Sequence, residues 1–150
     1  MGTGRPPDRW ANMMPELMTS DLGRSLAFWT GPLGFVPAYE RPALRFAYLV
    51  RPGDAQMMIY ERDGDWETGP LEQPYGRGVV IQVYVDDVDA IHTAVTGAGH
   101  SLYVPLRERW RDWGDRLGGQ REFLVQDPDG YLVMVAQRIG ERPMPPEGAK

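Results

Sequence analysis

Few side chains in this chain could do covalent chemistry. There is no cysteine, which excludes thiolate nucleophiles, disulfides and zinc–thiolate sites. Of the two histidines, His92 follows Ile91 in a helical pattern and reads as a surface residue. His100 follows Gly99 at a helix-to-strand junction, where an imidazolium would complement the helix end. No Ser-His-Asp arrangement is suggested locally. The remaining candidate chemistry is aromatic: the segment Leu106 to Gly119 places Trp110 and Trp113 among arginines, and indoles beside guanidiniums stack planar rings or cations. The same indoles would serve equally well to pack against a dimer partner. The five Arg and four acids from Arg107 to Glu122 read as a solvated charged face rather than an anion site.

Two helices and about eight strands must position these groups. Asp21 opens a helix whose Leu22, Leu26, Trp29 and Leu33 form one apolar stripe, ended by Gly31-Pro32 and Gly34. Before it, Met14 to Thr19 reads as a strand. After it, Phe35 to Glu40, Leu44 to Arg51 and Ala55 to Glu61 read as three more. Residues 62–77 lack apolar periodicity and read as a linker. The order then repeats: a strand from Gly78 to Val85, a helix over Asp87 to Ala98 with Val88, Ile91, Val95 and Ala98 inward, and strands over His100 to Leu106, Gln120 to Gln126 and Tyr131 to Gln137, with Arg107 to Gly119 as a charged insert. Asp127-Pro128-Asp129-Gly130 has the residues of a tight turn. Asp21 and Asp87, like Gly34 and Gly99, stand at matching places in the two halves, so the chain reads as an internal duplication.

An α+β architecture follows, made of two tandem βαβββ modules. A small module of this kind leaves one sheet face uncovered, and two curved mixed sheets around a cleft would remedy that. The expected division is one domain over 13–139, with modules 13–61 and 78–139, linker 62–77, and loose arms at 1–12 and 140–150. A formal net charge of -5 argues against a nucleic-acid partner, because phosphate binding needs clustered basic residues. Every apolar run is interrupted well short of a membrane span, so no membrane partner is expected. With no export pattern at the amino terminus, the expected location is cytoplasmic.

The run Asp21-Leu22 through Ser25, Phe28-Trp29 and Leu33-Gly34-Phe35, together with Arg121-Glu122-Phe123 leading into Asp127-Pro128-Asp129-Gly130, resembles the vicinal oxygen chelate superfamily of glyoxalases, bleomycin-resistance proteins and extradiol dioxygenases. That resemblance implies a glyoxalase-type fold and, in metal-using members, His, Gln or Glu ligands from the first and last strand of each module. Here those positions fall on Met14, Met58, Val80 and Met134. Thioether and isopropyl groups do not hold hard or borderline divalent ions. A one-residue slip in any strand offers only Met13, Pro15, Met57, Ile59, Val79, Ile81, Val133 or Val135, so misregister does not restore a site.

The resemblance therefore points to the metal-free, bleomycin-resistance-like branch: a protein that sequesters a drug or metabolite, with no cofactor, no catalytic residue and no metal. Period-two alternation would also turn Glu16, Met18, Tyr60, Gln82, Tyr84 and Ala136 inward. Expected ligand contacts are Met14, Glu16, Met58, Tyr60, Val80, Gln82, Trp113 and Met134, for a small molecule such as a cationic or aromatic drug, in a homodimer. Each Met could equally be plain core filling. The alternative is a metal-dependent lyase or dioxygenase whose metal has moved to Glu16, Glu61 or Glu122.

Overall fold

The computed structural model describes residues 1–145, and the chain divides into two compact units. The first comprises Met1–Val80 with Gln126–Leu132; the second comprises Ile81–Val125 and the chain from Val133 onward. Among the described residues each holds one sheet and one α-helix.

In the first unit, β1 (Thr3–Gly4), β2 (Glu16–Thr19), β3 (Val36–Arg41), β4 (Phe46–Arg51) and β5 (Ala55–Glu61) form a mixed sheet in the order β1-β3-β4-β5-β2. Only β2 runs parallel to its neighbour, with Glu16 opposite Met58 and Met18 opposite Tyr60. Helix α1 (Leu22–Thr30) starts at Asp21, whose carboxylate accepts from Arg24 N at 2.8 Å, an N-cap that supplies an otherwise orphaned amide with a partner. The helix buries Ser25, Phe28 and Trp29. Leu22 and Leu26 are only half-buried, so the buried stripe is rotated from the one expected. The sheet residues buried with it are Leu17, Ala47, Leu49, Met57 and Ile59.

The second unit repeats the plan with β6 (Val80–Tyr84), α2 (Val88–Gly97), β7 (Leu102–Asp112), β8 (Arg116–Gln126) and β9 (Leu132–Pro143), in the sheet order β6-β9-β8-β7. Asp87 caps α2 by accepting from Ala90 N at 3.0 Å, as Asp21 does for α1. Gly99, at φ +85, ends the helix where a side chain would be strained. Val83, Val85, Val88, Val95, Phe123, Val125, Val133 and Val135 are buried. Of the expected helix stripe, Ile91 is half-buried and Ala98 exposed.

Several segments differ from expectation. Arg107 to Gly119 is not an insert but the far half of a long hairpin, in which Arg107 pairs with Glu122 and Arg111 with Gly118. Its charges suggested a loop because strands with one open face can carry polar residues along their whole length. Residues 1–12 are not a loose arm: Thr3 and Gly4 pair with Glu40 and Tyr39, and Trp10 meets the Tyr48 ring edge-on at 5.0 Å. Strand β9 runs on to Pro143. The rest of the expected carboxyl-terminal arm, 146–150, lies outside the described residues. Met14 precedes β2 rather than beginning it. The expected linker is packed in the first unit, where Tyr75 is buried and Arg62 pairs with Glu67 at 2.7 Å.

The Asp127–Gly130 turn forms, with Gly130 at φ +99, and both its acids are buried in the first unit. Asp129 accepts from Thr19 Oγ1 (2.6 Å), Ser20 N (2.9 Å), Ser20 Oγ (2.5 Å) and Gln73 Nε2 (2.8 Å). Asp127 accepts from Trp29 Nε1 (3.3 Å) and from the amides of Asp129 and Tyr131 (both 2.9 Å). Burial opposes ionisation of Asp129, but its donors together hold its pKa below the ordinary value. For Asp127 burial prevails and the pKa is raised.

Candidate functional site

A strand presents alternate residues to opposite faces. In the first unit the face away from α1 carries Glu16, Met18, Phe46, Tyr48, Met58 and Tyr60, as the pairings of Glu16 with Met58 and of Tyr48 with Met58 require. Of the residues expected to contact a ligand, Glu16, Met58 and Tyr60 come together in one cavity of about 320 Å³, walled also by Tyr39, Arg41, Leu44, Phe46 and Trp66. Glu16 and Trp66 also border a second hollow of about 590 Å³ with Met18, Tyr131 and the 67–71 loop. Met14 lies nearby in the sense that its sulfur accepts from Tyr48 Oη at 3.1 Å.

The electrostatics of this cavity are simple. Glu16 is exposed. Tyr60 donates its hydroxyl proton to Asp63, and that bond pushes its pKa up to about 12, so it is a neutral phenol at any physiological pH. The Arg41 guanidinium lies 4.9 Å from the Phe46 ring centre and 5.6 Å from that of Tyr39. These ring faces are therefore already used by a cation. Tyr39, Arg41 and Phe46 were not singled out from the sequence, whereas Trp66, read there as a linker residue that either flanks the groove or closes a subunit contact, lines this cavity. The alternation of Phe46 and Tyr48 with Ala47 and Leu49 contained the signal for Phe46, while Trp66 sits in irregular chain at φ +61, where no periodicity assigns a side.

In the second unit, α2 covers the face of β8 that carries Arg121 and Phe123. Arg121 Nη2 pairs with Asp89 of α2 at 2.8 Å, and the His92 ring meets Phe123 edge-on at 5.5 Å. Gln120 and Glu122 take the opposite, uncovered face. Both are nonetheless buried, beneath side chains of their own sheet. Glu122 Oε1 accepts from Arg107 Nη2 (3.3 Å) and Arg111 Nη2 (2.9 Å). Gln120 accepts from Arg111 Nη1 (2.9 Å) and donates to the Tyr84 hydroxyl. Arg138 lies 4.7 Å from the Tyr84 ring centre. The other expected ligand contacts are more scattered: Val80 and Gln82 are exposed on β6, Met134 is half-buried on β9, and Trp113 is exposed in the β7–β8 turn.

The four positions where metal-using relatives of this fold would carry ligands thus hold two thioethers with local neighbours, a third that is half-buried, and an exposed valine. They do not fit a divalent ion. Among the described residues no three His, Cys, Asp or Glu side chains gather as a metal-binding group. Glu61 accepts from Leu22 N at 2.8 Å and pairs with Arg45, which lowers its pKa. Glu122 is held by its two arginines, which outweigh the effect of burial and lower its pKa as well. No helix among the described residues is long and apolar enough to cross a membrane.

Known proteins share this plan. Residues 12–135 match the model of the Glyoxalase/Bleomycin resistance protein/Dioxygenase superfamily. A superfamily member from Vibrio splendidus 12B01 is 32% identical over 83% of this chain and 95% of its own, at a TM-score of 0.40. TioX from Micromonospora sp. ML1 is 24% identical over 90% of this chain and 100% of its own, at a TM-score of 0.62. A virulence protein from Salmonella typhimurium is 18% identical over 89% of this chain and 99% of its own, at a TM-score of 0.64. The last two show the fold alone. No curated protein matches. With a family model spanning most of its length, the chain belongs to the glyoxalase/bleomycin resistance protein/dioxygenase superfamily.

Proposed function

We propose that this protein is a metal-free binder that sequesters a small organic molecule on the methionine- and aromatic-lined open face of its first unit. The observation that carries the proposal is Met58, a thioether where the fold would place a ligating side chain, facing the same cavity as Glu16, Tyr60, Phe46 and Trp66. Thioether and aromatic walls mould to flat apolar surfaces, and a few polar groups fix orientation. Glu16 would meet a cationic substituent, and with Arg41 already over Phe46 and Tyr39 an aromatic guest would stack on Trp66 or Tyr60 instead. The protein would act as a cytoplasmic homodimer. A metal-dependent lyase or dioxygenase with a relocated metal at Glu16, Glu61 or Glu122 is the lesser reading: Glu61 and Glu122 are each engaged by arginine, and among the described residues Glu16 has no pair of further His, Cys, Asp or Glu side chains beside it.

The test has two parts. Metal analysis of protein purified without chelator should find no stoichiometric divalent ion; one tightly held ion per subunit would overturn the proposal. A thermal-shift screen of cationic aromatic compounds should then give stabilisation that is lost in Met58→Lys, which places a charge in the cavity, while a guest that stabilises both proteins equally would sit elsewhere.

A further inference from the structure

The second unit carries a different surface, built from residues that the function above does not use. Glu122 is wholly buried on the sheet face that no helix covers. A buried carboxylate is costly unless paired, and its two partners, Arg107 and Arg111, keep about two-fifths of their side-chain surface in solvent, at 38% and 39% exposure. The acid thus lies beneath and the guanidiniums face outward.

The pairing is also incomplete. Arg107 Nε is buried with no hydrogen-bond acceptor among the described residues, and Glu122 Oε2 has no hydrogen bond although Arg111 Nη1 is 2.7 Å away. Gln120 holds Arg111 in place from the other side, and its own amide is anchored by Tyr84. Arg109, opposite Gln120 in the ladder, and Arg138 on the Tyr84 ring add further guanidiniums to this face. The face therefore carries an excess of positive charge in a protein whose net charge is -5.

Beside this cluster lies an aromatic platform. Strand alternation puts Gly118 on the same face as Gln120 and Glu122, opposite Arg111 in the ladder. A side chain at Gly118 would fall on the Trp113 ring, so the indole rests directly on the strand. It is 46% exposed, which leaves ring surface for a guest.

We propose that this face binds a planar aromatic carboxylate, its oxygens on the guanidiniums of Arg107 and Arg111 and its ring against Trp113. Glu122 is a positioning residue that orients the two arginines. Forked guanidinium groups match a carboxylate bidentately, and an indole gives its ring a stacking partner. The site shares no residue with the cavity of the first unit, so either proposal can fail alone.

Titration with cinnamate, followed by tryptophan fluorescence and calorimetry, tests the proposal against the neutral isostere cinnamamide. Saturable binding of cinnamate at least about tenfold tighter than of cinnamamide is expected, since a charge-assisted pair contributes that much. Arg111→Gln should cost a similar factor, and Trp113→Phe should abolish the fluorescence change while calorimetric binding persists. Glu122→Gln should weaken cinnamate and leave cinnamamide unaffected; because that variant perturbs a buried pair, Arg111→Lys, which keeps the charge and loses the fork, serves as the folded control and should also weaken binding. Equal affinity for acid and amide, affinity unchanged in Arg111→Gln, or no saturable binding up to millimolar cinnamate would overturn the proposal.

Discussion

The two units use one plan and finish their open faces differently. Beneath the helices they are alike: Phe28, Trp29, Ile59 and Leu49 in the first and Val88, Val95, Phe123 and Val133 in the second are buried apolar groups. Away from the helices, the first sheet shows Met58, Phe46 and Tyr60, and the second shows Arg107, Arg111, Gln120 and Glu122. The covered face must be apolar in both, because its burial supplies most of the stability. The uncovered face has no such obligation, so a duplicated module can keep one side fixed and change the other.

That contrast breaks most readily at the covered face. Trp29→Ala should cost about 3–5 kcal/mol, as large-to-small changes at fully buried aromatics do, and it also removes a donor from Asp127. Met58→Ala, half-buried on the open face, should cost well under half as much. Urea midpoints of the two variants compare them directly, and similar losses would mean that the open face of the first unit is core after all. In the second unit Glu122→Ala should cost less than Trp29→Ala, about 1.5–3 kcal/mol, because it removes charge-assisted bonds while the two guanidiniums left behind already reach solvent. A loss as large as that of Trp29→Ala would show that Arg107 and Arg111 depend on their acid as buried charges do.

The covered faces were legible in the sequence, since Val83, Val85, Val88 and Val95 declare themselves by periodicity and the Asp21 and Asp87 caps by residue type and place. The open faces were half legible. Alternation fixed Met58 and Tyr60 to one side of β5, but for Trp66, in irregular chain, the sequence left two readings open, flanking the groove or closing a subunit contact. The β7–β8 hairpin was missed because its outward residues are charged along its full length, and charge in a strand exposed on one face looks the same as charge in a loop. Asp127 and Asp129 were read only as turn formers. Their burial against Thr19, Ser20 and Trp29 depends on chain more than a hundred positions away from Thr19, for which local sequence holds no signal.

Those two acids sharpen the contrast within a single turn. Asp129 has a folded pKa below its unfolded value of about 4, so its contribution is complete above that value and is lost as pH falls through the folded pKa. Asp127 has a raised folded pKa, so the stability linked to it is greatest below the unfolded value and declines as pH rises through the folded one. Asp129→Asn should therefore cost about 2–3 kcal/mol at neutral pH by weakening charge-assisted bonds, with the deficit shrinking in acid. Asp127→Asn keeps one oxygen for the amides of Asp129 and Tyr131, which share Oδ1, and gives up the Oδ2 acceptor of Trp29 while removing a buried charge, so it should cost less at neutral pH than Asp129→Asn. Denaturation of both variants at pH 7 and at pH 3 separates the two signs, and parallel losses would refute the assignment.

The smallest expected effect on stability is at Gly118, where the open face of the second unit admits an indole. A methyl group there would meet the Trp113 ring rather than backbone, and Trp113 is a half-exposed side chain in a turn that can swing aside. Gly in a strand interior costs roughly 0.5–1 kcal/mol relative to Ala, so losing the indole contact and gaining a better strand former nearly cancel. Gly118→Ala should thus move the melting temperature little while shifting tryptophan emission to longer wavelength as Trp113 enters water. At Gly119 the added group would crowd both Trp110 and Ile139, two half-buried neighbours at once, one of which carries Arg142 on its ring. A large loss from Gly118→Ala, comparable with that from Gly119→Ala, would show that the two faces of β8 are equally committed to packing.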